Sequence, residues 1–191
     1  KRVPQLLCLA FAAAGATAAP FKVTLLAPAD DPRLDRARVE RGYFGHPTGP
    51  VADGLQMALK DSQLELDAAG ASLALDVVNV ASAAEAKAAA AKAEKAGHAA
   101  VVTDLPADWT LAAADGSKLP VLNLYTAADR LRGADCRRNL LHVGPSERMR
   151  ADALAQTLVS RKWAQLLLLV GPTPADAVRA ATAEASIKRY G

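Results

Sequence analysis

Hydrophobic and polar positions alternate with two different periods along this chain, and the changes of period mark its elements. Ser72 to Val80 sets Leu73, Leu75 and Val77 against smaller or polar neighbours, the period of two of a strand. Lys22 to Ala27 is a short β-branched and leucine run stopped by Pro28. Ala99 to Thr103, Leu119 to Tyr125 and Gln165 to Val170 are compact apolar runs bounded by Gly, Pro or Asp, the pattern of strands buried on both faces. Leu140 to Val143 is a further, shorter candidate. Between these runs the period lengthens to that of a helix. Val51, Leu55, Leu59 and Leu66 form one stripe over Val51 to Ala69, ended by Gly70; Met149, Ala153, Leu154 and Leu158 form another over Ser146 to Lys162. Ser82 with Glu85 opens an alanine-rich helix that Gly97 closes, and Thr173, Pro174 and Asp176 open one more.

Strand and helix in this alternation predict an α/β fold, a mostly parallel sheet with helices on both faces, because right-handed crossovers place the helices there. Ligands then bind beyond the carboxyl ends of the strands, which points to Pro28 to Pro50, Asp104 to Asp108, Thr126 to Asn139 and Gly171 to Thr173. None of these loops carries G-x-G-x-x-G or a Walker sequence. Gly42-Tyr43-Phe44-Gly45 stands too far from the first strand, and the prolines of Gly171-Pro172-Thr173-Pro174 remove N–H donors that a phosphate needs. Dinucleotides and nucleoside triphosphates are disfavoured, as is a hydrolase with a G-x-S-x-G elbow. Asp30 and Asp31 read as acidic turn residues before Pro32 in preference to a phosphoacceptor site. Arg33, Arg36, Arg38 and Arg41, interleaved with Asp35 and Glu40, read as a solvated short helix.

The 191 residues carry 23 Lys plus Arg against 20 Asp plus Glu, and 51% are hydrophobic, so the chain should fold and shows no polyanion-binding signature. No nucleic-acid partner is expected. Lys1 and Arg2 lead into an apolar run from Val3 to Ala14, followed by the small residues Ala16-Thr17-Ala18. Residues 1–18 are therefore expected to be a cleavable secretory signal peptide, which the resemblance given below narrows to export to the periplasm. Cleavage takes Cys8 away and leaves Cys136, for which a buried free thiol and a pairing beyond Gly191 both stand open. His46, His98 and His142 have no second ligand at helical or hairpin spacing, so neither a metal nor another cofactor is expected.

Two segments carry a resemblance. His46-Pro47-Thr48-Gly49-Pro50 ahead of a long helix, and Asn139-Leu140-Leu141-His142-Val143-Gly144-Pro145-Ser146 leading into another, resemble the type I periplasmic binding proteins. More narrowly, "ALKDSQ", "TDLPAD", "LRGADCRRNLLHVGPSERMRADALAQTLVSRKW" and "SIKRYG" resemble the ABC-transporter substrate-binding branch associated with PQQ-dependent alcohol dehydrogenase systems. The resemblance implies a non-catalytic, monomeric solute-binding protein with two similar lobes that close on a small-molecule ligand and serve an inner-membrane ABC permease. It also implies boundaries, with residues 19–144 as the N-terminal lobe and 145–191 as the beginning of a second lobe, truncated at Gly191.

By the same resemblance, the ligand groups follow the runs Ala99 to Thr103 and Leu119 to Tyr125, which gives Asp104, Leu105, Tyr125, Thr126 and Ala127 as ligand-binding candidates. Amino-acid-binding relatives have a small hydroxyl residue and backbone N–H groups where this chain has Asp104-Leu105-Pro106. An acidic side chain there opposes an anion and suits a hydroxyl or a cation; Asp104 reads equally as a turn or cap residue. Thr126 keeps the second hydroxyl. Tyr125 is the best aromatic candidate, whereas Trp109 reads first as packing, and Tyr43 and Phe44 read equally as packing or as a lid. The alternative is an exported flavodoxin-like α/β enzyme in which Asp30, Asp104 or His46 does acid–base work, but the sequence shows no titrating pair at credible spacing.

Overall fold

The computed structural model describes residues 21–35, 49–163 and 165–191. The expected signal peptide, Arg36, Arg38, Glu40, Arg41, Tyr43, Phe44 and His46 lie outside the described residues. Five strands, β1 (Phe21–Pro28), β2 (Leu73–Val80), β3 (Ala100–Thr103), β4 (Val121–Asn123) and β5 (Leu140–His142), form one sheet in the order β2-β1-β3-β4-β5. Every pairing is parallel. Among the described residues the α-helices are α1 (Val51–Asp61), α2 (Gln63–Ala68), α3 (Ala83–Lys95), α4 (Ala107–Gly116), α5 (Glu147–Ser160) and α6 (Pro174–Tyr190).

The register divides the sheet into two faces. Thr24 pairs with Val101 and Val101 with Val121; two residues on, Leu26 pairs with Thr103 and Thr103 with Asn123. These positions share one face because side chains alternate along a strand. Leu26, Val80, Val101, Val121 and Leu140 there form the core with Ala86, Ala90 and Ala93 of α3 and Ala113 and Ala114 of α4. These small alanine side chains let the two helices lie close together on one sheet, and Gly116 meets the backbone of Lys87 so closely that a Cβ would collide with it. The opposite face carries Val23, Leu75, Val102 and Leu122 beneath α1 and α2. Those helices stand off it, leaving an almost wholly apolar space of about 520 Å³ that Leu55, Leu59 and Leu66 also line.

Helix ends follow local chemistry. The Ser82 hydroxyl accepts the Glu85 N–H, and Thr173 and Asp176 cap each other reciprocally at the start of α6. Gly70 and Gly97 take φ of 63° and 75° after α2 and α3, a left-handed turn that side-chain-bearing residues resist.

Four expectations need correction. The helix expected over Val51 to Ala69 breaks at Ser62 into α1 and α2. The run Leu119 to Tyr125 pairs over three residues only, because beyond Asn123 its backbone turns onto that side chain. Gln165 to Val170 is no strand: its residues are exposed and no strand of the sheet pairs with them, and burial on two faces requires neighbours as well as an apolar sequence. On α5, Met149 and Leu154 are exposed and Ala155 is the buried residue, because the helix turns that side toward α6, where Ser186 donates to Asp152 at 2.7 Å.

Candidate functional site

The strand order places the topological switch at β1 and β3. The chain leaves β1 toward β2 on one side, returns to β3 on the other, and the flanking loops part there. Three loops converge on this carboxyl edge. After β1, the Asp31 carboxylate accepts the Arg33 N–H and Pro32 opens a 3₁₀ turn over Pro32–Leu34. That turn sends the Arg33 side chain across the end of β3.

Arg33 is the centre of the cluster. Its Nη1 and Nη2 donate to the two carboxylate oxygens of Asp104 at 3.0 and 2.6 Å, while Nε and Nη2 donate to Asp31 at 2.8 and 2.7 Å. The guanidinium lies 4.2 Å from the centre of the Tyr125 ring, a cation–π contact. Hydrogen bonds donated to Asp31 first and to Asp104 second raise the arginine's pKa above its ordinary value, so it is charged throughout. Asp104, 4% exposed, could not be buried ionised without such a partner. Its backbone N–H extends the β1–β3 pairing by donating to Leu26 at 2.9 Å.

The loop after β4 is braced by one buried amide. Asn123 Nδ2 donates to the Thr126 carbonyl at 2.6 Å, and its Oδ1 accepts the Thr126 N–H at 3.0 Å. The same Nδ2 stands 3.0 Å from His142 Nδ1, which accepts when the ring is neutral. Burial, and then the nearby Arg132 charge, lower the His142 pKa, which favours that neutral form. Hydrogen bonds also tie this loop to the start of α5: the Ala127 carbonyl accepts the Glu147 N–H at 2.9 Å, and both Asp129 oxygens accept the Arg148 N–H.

The structure thus joins Asp104 and Tyr125 through Arg33 and places Thr126 and Ala127 beside them. The Leu105 side chain is wholly buried in the core, which leaves only its backbone near the edge. The Thr126 hydroxyl accepts the Ala128 N–H at 3.3 Å. Arg33, expected as a solvated residue, is instead the hub. Its signal was the Asp31-Pro32 pair, a cap and a first-turn proline that aim the next side chain back over the sheet. Asn123 also went unread, although a polar residue inside the run Leu119 to Tyr125 needs a buried partner. Cys136 is exposed, which removes the buried-thiol alternative.

Beside the cluster lies a cavity of about 460 Å³, lined by Ala27, Ala29, Asp31, Asp53, Asn79 and Asp104 among others. Its volume suits a small organic molecule, and its polar groups can orient one. The larger space under α1 and α2 has almost no polar atom with which to do so, so it is the weaker candidate despite its size. Among the described residues, no three His, Cys, Asp or Glu side chains are grouped to hold a metal, and no helix is long and apolar enough to cross a membrane.

A parallel five-stranded sheet with helices on both faces and this strand order is the fold of type I periplasmic binding proteins. Solved structures supply the particular likenesses. An ABC transporter substrate-binding protein from Desulfitobacterium hafniense matches with a TM-score of 0.66 at 16% identity over 91% of this chain and 48% of its own. The closed leucine-, isoleucine-, valine-, threonine- and alanine-binding protein from Brucella ovis gives 0.65 at 16% over 91% of this chain and 45% of its own. A solute-binding protein of an ABC transporter from Rhodopseudomonas palustris, in complex with 3,4-dihydroxybenzoic acid, gives 0.59 at 12% over 90% and 45%. The chain therefore spans about half the length of the solved structures it matches. No family profile and no curated protein matches it.

Proposed function

We propose that this chain is the ligand-binding part of a periplasmic solute-binding protein of an ABC transport system, and that it holds a small molecule at the carboxyl edge of its sheet. The observation that carries the reading is the convergence at the β1–β3 switch point, where Arg33, Asp104 and Tyr125 from three loops meet beside a cavity of ligand size. In this reading residues 19–144 form the N-terminal lobe and 145–191 begin a second, residues 1–18 direct export, and the occupied form docks as a monomer on an inner-membrane permease. No catalysis is assigned: the Asp104 carboxylate, one of the acid–base candidates, is taken up by an arginine. The resemblance of residues 131–163 supports a narrower placement, service to PQQ-dependent alcohol oxidation. The test is native mass spectrometry of the chain purified from a periplasmic extract. A small molecule retained at one per chain and released on unfolding is expected; a chain that never carries or takes up a small molecule overturns the proposal.

A further inference from the structure

Arg33 has the geometry of a carboxylate receptor that is already full. A guanidinium presents two in-plane edges that hold a carboxylate through paired hydrogen bonds. The Nε–Nη2 edge lies on Asp31 and the Nη1–Nη2 edge on Asp104, and one face is covered by Tyr125. Asp31 is two residues from Arg33 and also accepts its backbone N–H, so its carboxylate acts at a high effective concentration that a free ligand does not match. Asp31 and Asp104 both line the 460 Å³ cavity, whereas Arg33 does not. Among the described residues, the charged groups that line that space are Asp31, Asp53 and Asp104, all acidic, so a carboxylate entering it meets like charge. The start of α1 also borders it, but Asp53 in the first turn already answers the helix dipole.

We propose that Arg33, filled in advance by Asp31, sets the specificity of the cavity: it excludes carboxylates and takes ligands that bring a hydroxyl or ammonium donor to Asp104. Two of the roughly four acceptor positions of the Asp104 carboxylate are used by Arg33, which leaves room for such a donor. The inference rests on the strand-edge site proposed above and adds its substrate class.

The experiment follows the Ala29 and Asp104 amides of the full chain by nuclear magnetic resonance during titration with matched pairs, L-leucine against leucinol and benzoate against benzylamine. Leucinol and benzylamine should bind at least about tenfold more tightly than their carboxylates. Asp31→Ala, checked for folding by its thermal melt, should reverse that order by opening one guanidinium edge, and adding Arg33→Met should abolish the gain. Carboxylates that bind the unmodified chain as well as their partners, or an order unchanged by Asp31→Ala, overturn the specificity while leaving the site standing. If no compound moves those amides in either protein, the strand-edge site itself fails and the specificity falls with it.

Discussion

Replacing Arg33 by Met removes the one cation that, among the described residues, pairs with the Asp104 carboxylate, whose side chain is 5% exposed. Two hydrogen bonds to a charged group vanish, at 3.0 and 2.6 Å, and the carboxylate is stranded near the core. Such bonds contribute about 1.5–3 kcal/mol, but the Arg33 side chain is 29% exposed and water screens the pair, so a destabilisation of about 2 kcal/mol is expected. Asp104→Leu should cost about 1 kcal/mol, because Arg33 keeps Asp31 and can turn to solvent. The double variant strands nothing and places two apolar side chains together, so it should also cost about 1 kcal/mol, which makes the coupling about 2 kcal/mol. Urea unfolding provides the assay. With m near 2 kcal/mol/M, Arg33→Met lowers the midpoint by about 1 M at unchanged m, and the double variant recovers about half of that. Single effects that add to within about 0.5 kcal/mol would show that the pair is not coupled and that Asp104 is not held by Arg33.

Asn123→Ala deletes the brace on Thr126 and should cost about 2–3 kcal/mol in urea unfolding while raising hydrogen exchange at the Thr126 amide; unchanged exchange would remove Asn123 from the loop. Because the folded-state pKa of His142 lies below its ordinary 6.5, its contribution to stability is complete above that pH and falls as pH drops from 6.5 through the lowered value. Denaturation midpoints between pH 7.5 and 5 measured with and without His142→Gln should differ in slope over that window, and equal slopes would contradict the shift. Gly116→Ala should destabilise by about 1–3 kcal/mol through collision with the Lys87 backbone, whereas Gly144→Ala, which faces open space, should stay within about 0.5 kcal/mol. Thermal melts of the two side by side check this, and equal shifts would contradict the close packing of α3 on α4.

Much of the sheet was legible because β2 alternates apolar and polar positions and the other strands are short apolar runs. Pro28 stops the first, and Ser82 and Thr173 announce their helices with a side chain that replaces a missing backbone partner. Asp104 and Tyr125 could be picked as site residues because they follow such runs, and in a parallel sheet the residue after a run stands at the carboxyl edge. Arg33 could not be found that way. Its partner Asp104 lies 71 residues on, and the local cue, the Asp31-Pro32 cap and first-turn proline, gives the direction of the side chain without naming what it meets. The reverse error concerns Leu166 to Val170, where hydrophobicity promised burial but no strand of the sheet lies alongside. The stripe on α5 shows the same limit: helical spacing marks Met149 and Leu154 as one face without saying which face a neighbour covers.

Binding of a small molecule at the carboxyl edge of the sheet is open to hydrogen exchange mass spectrometry of the chain with and without its co-purified ligand. Protection gained on binding should concentrate in peptides covering Ala29 to Leu34, Asp104 and Tyr125 to Ala127. Protection confined to Leu55 to Leu66 and the facing residues Leu73 to Leu75 would place the ligand in the apolar space under α1 and α2 and contradict it.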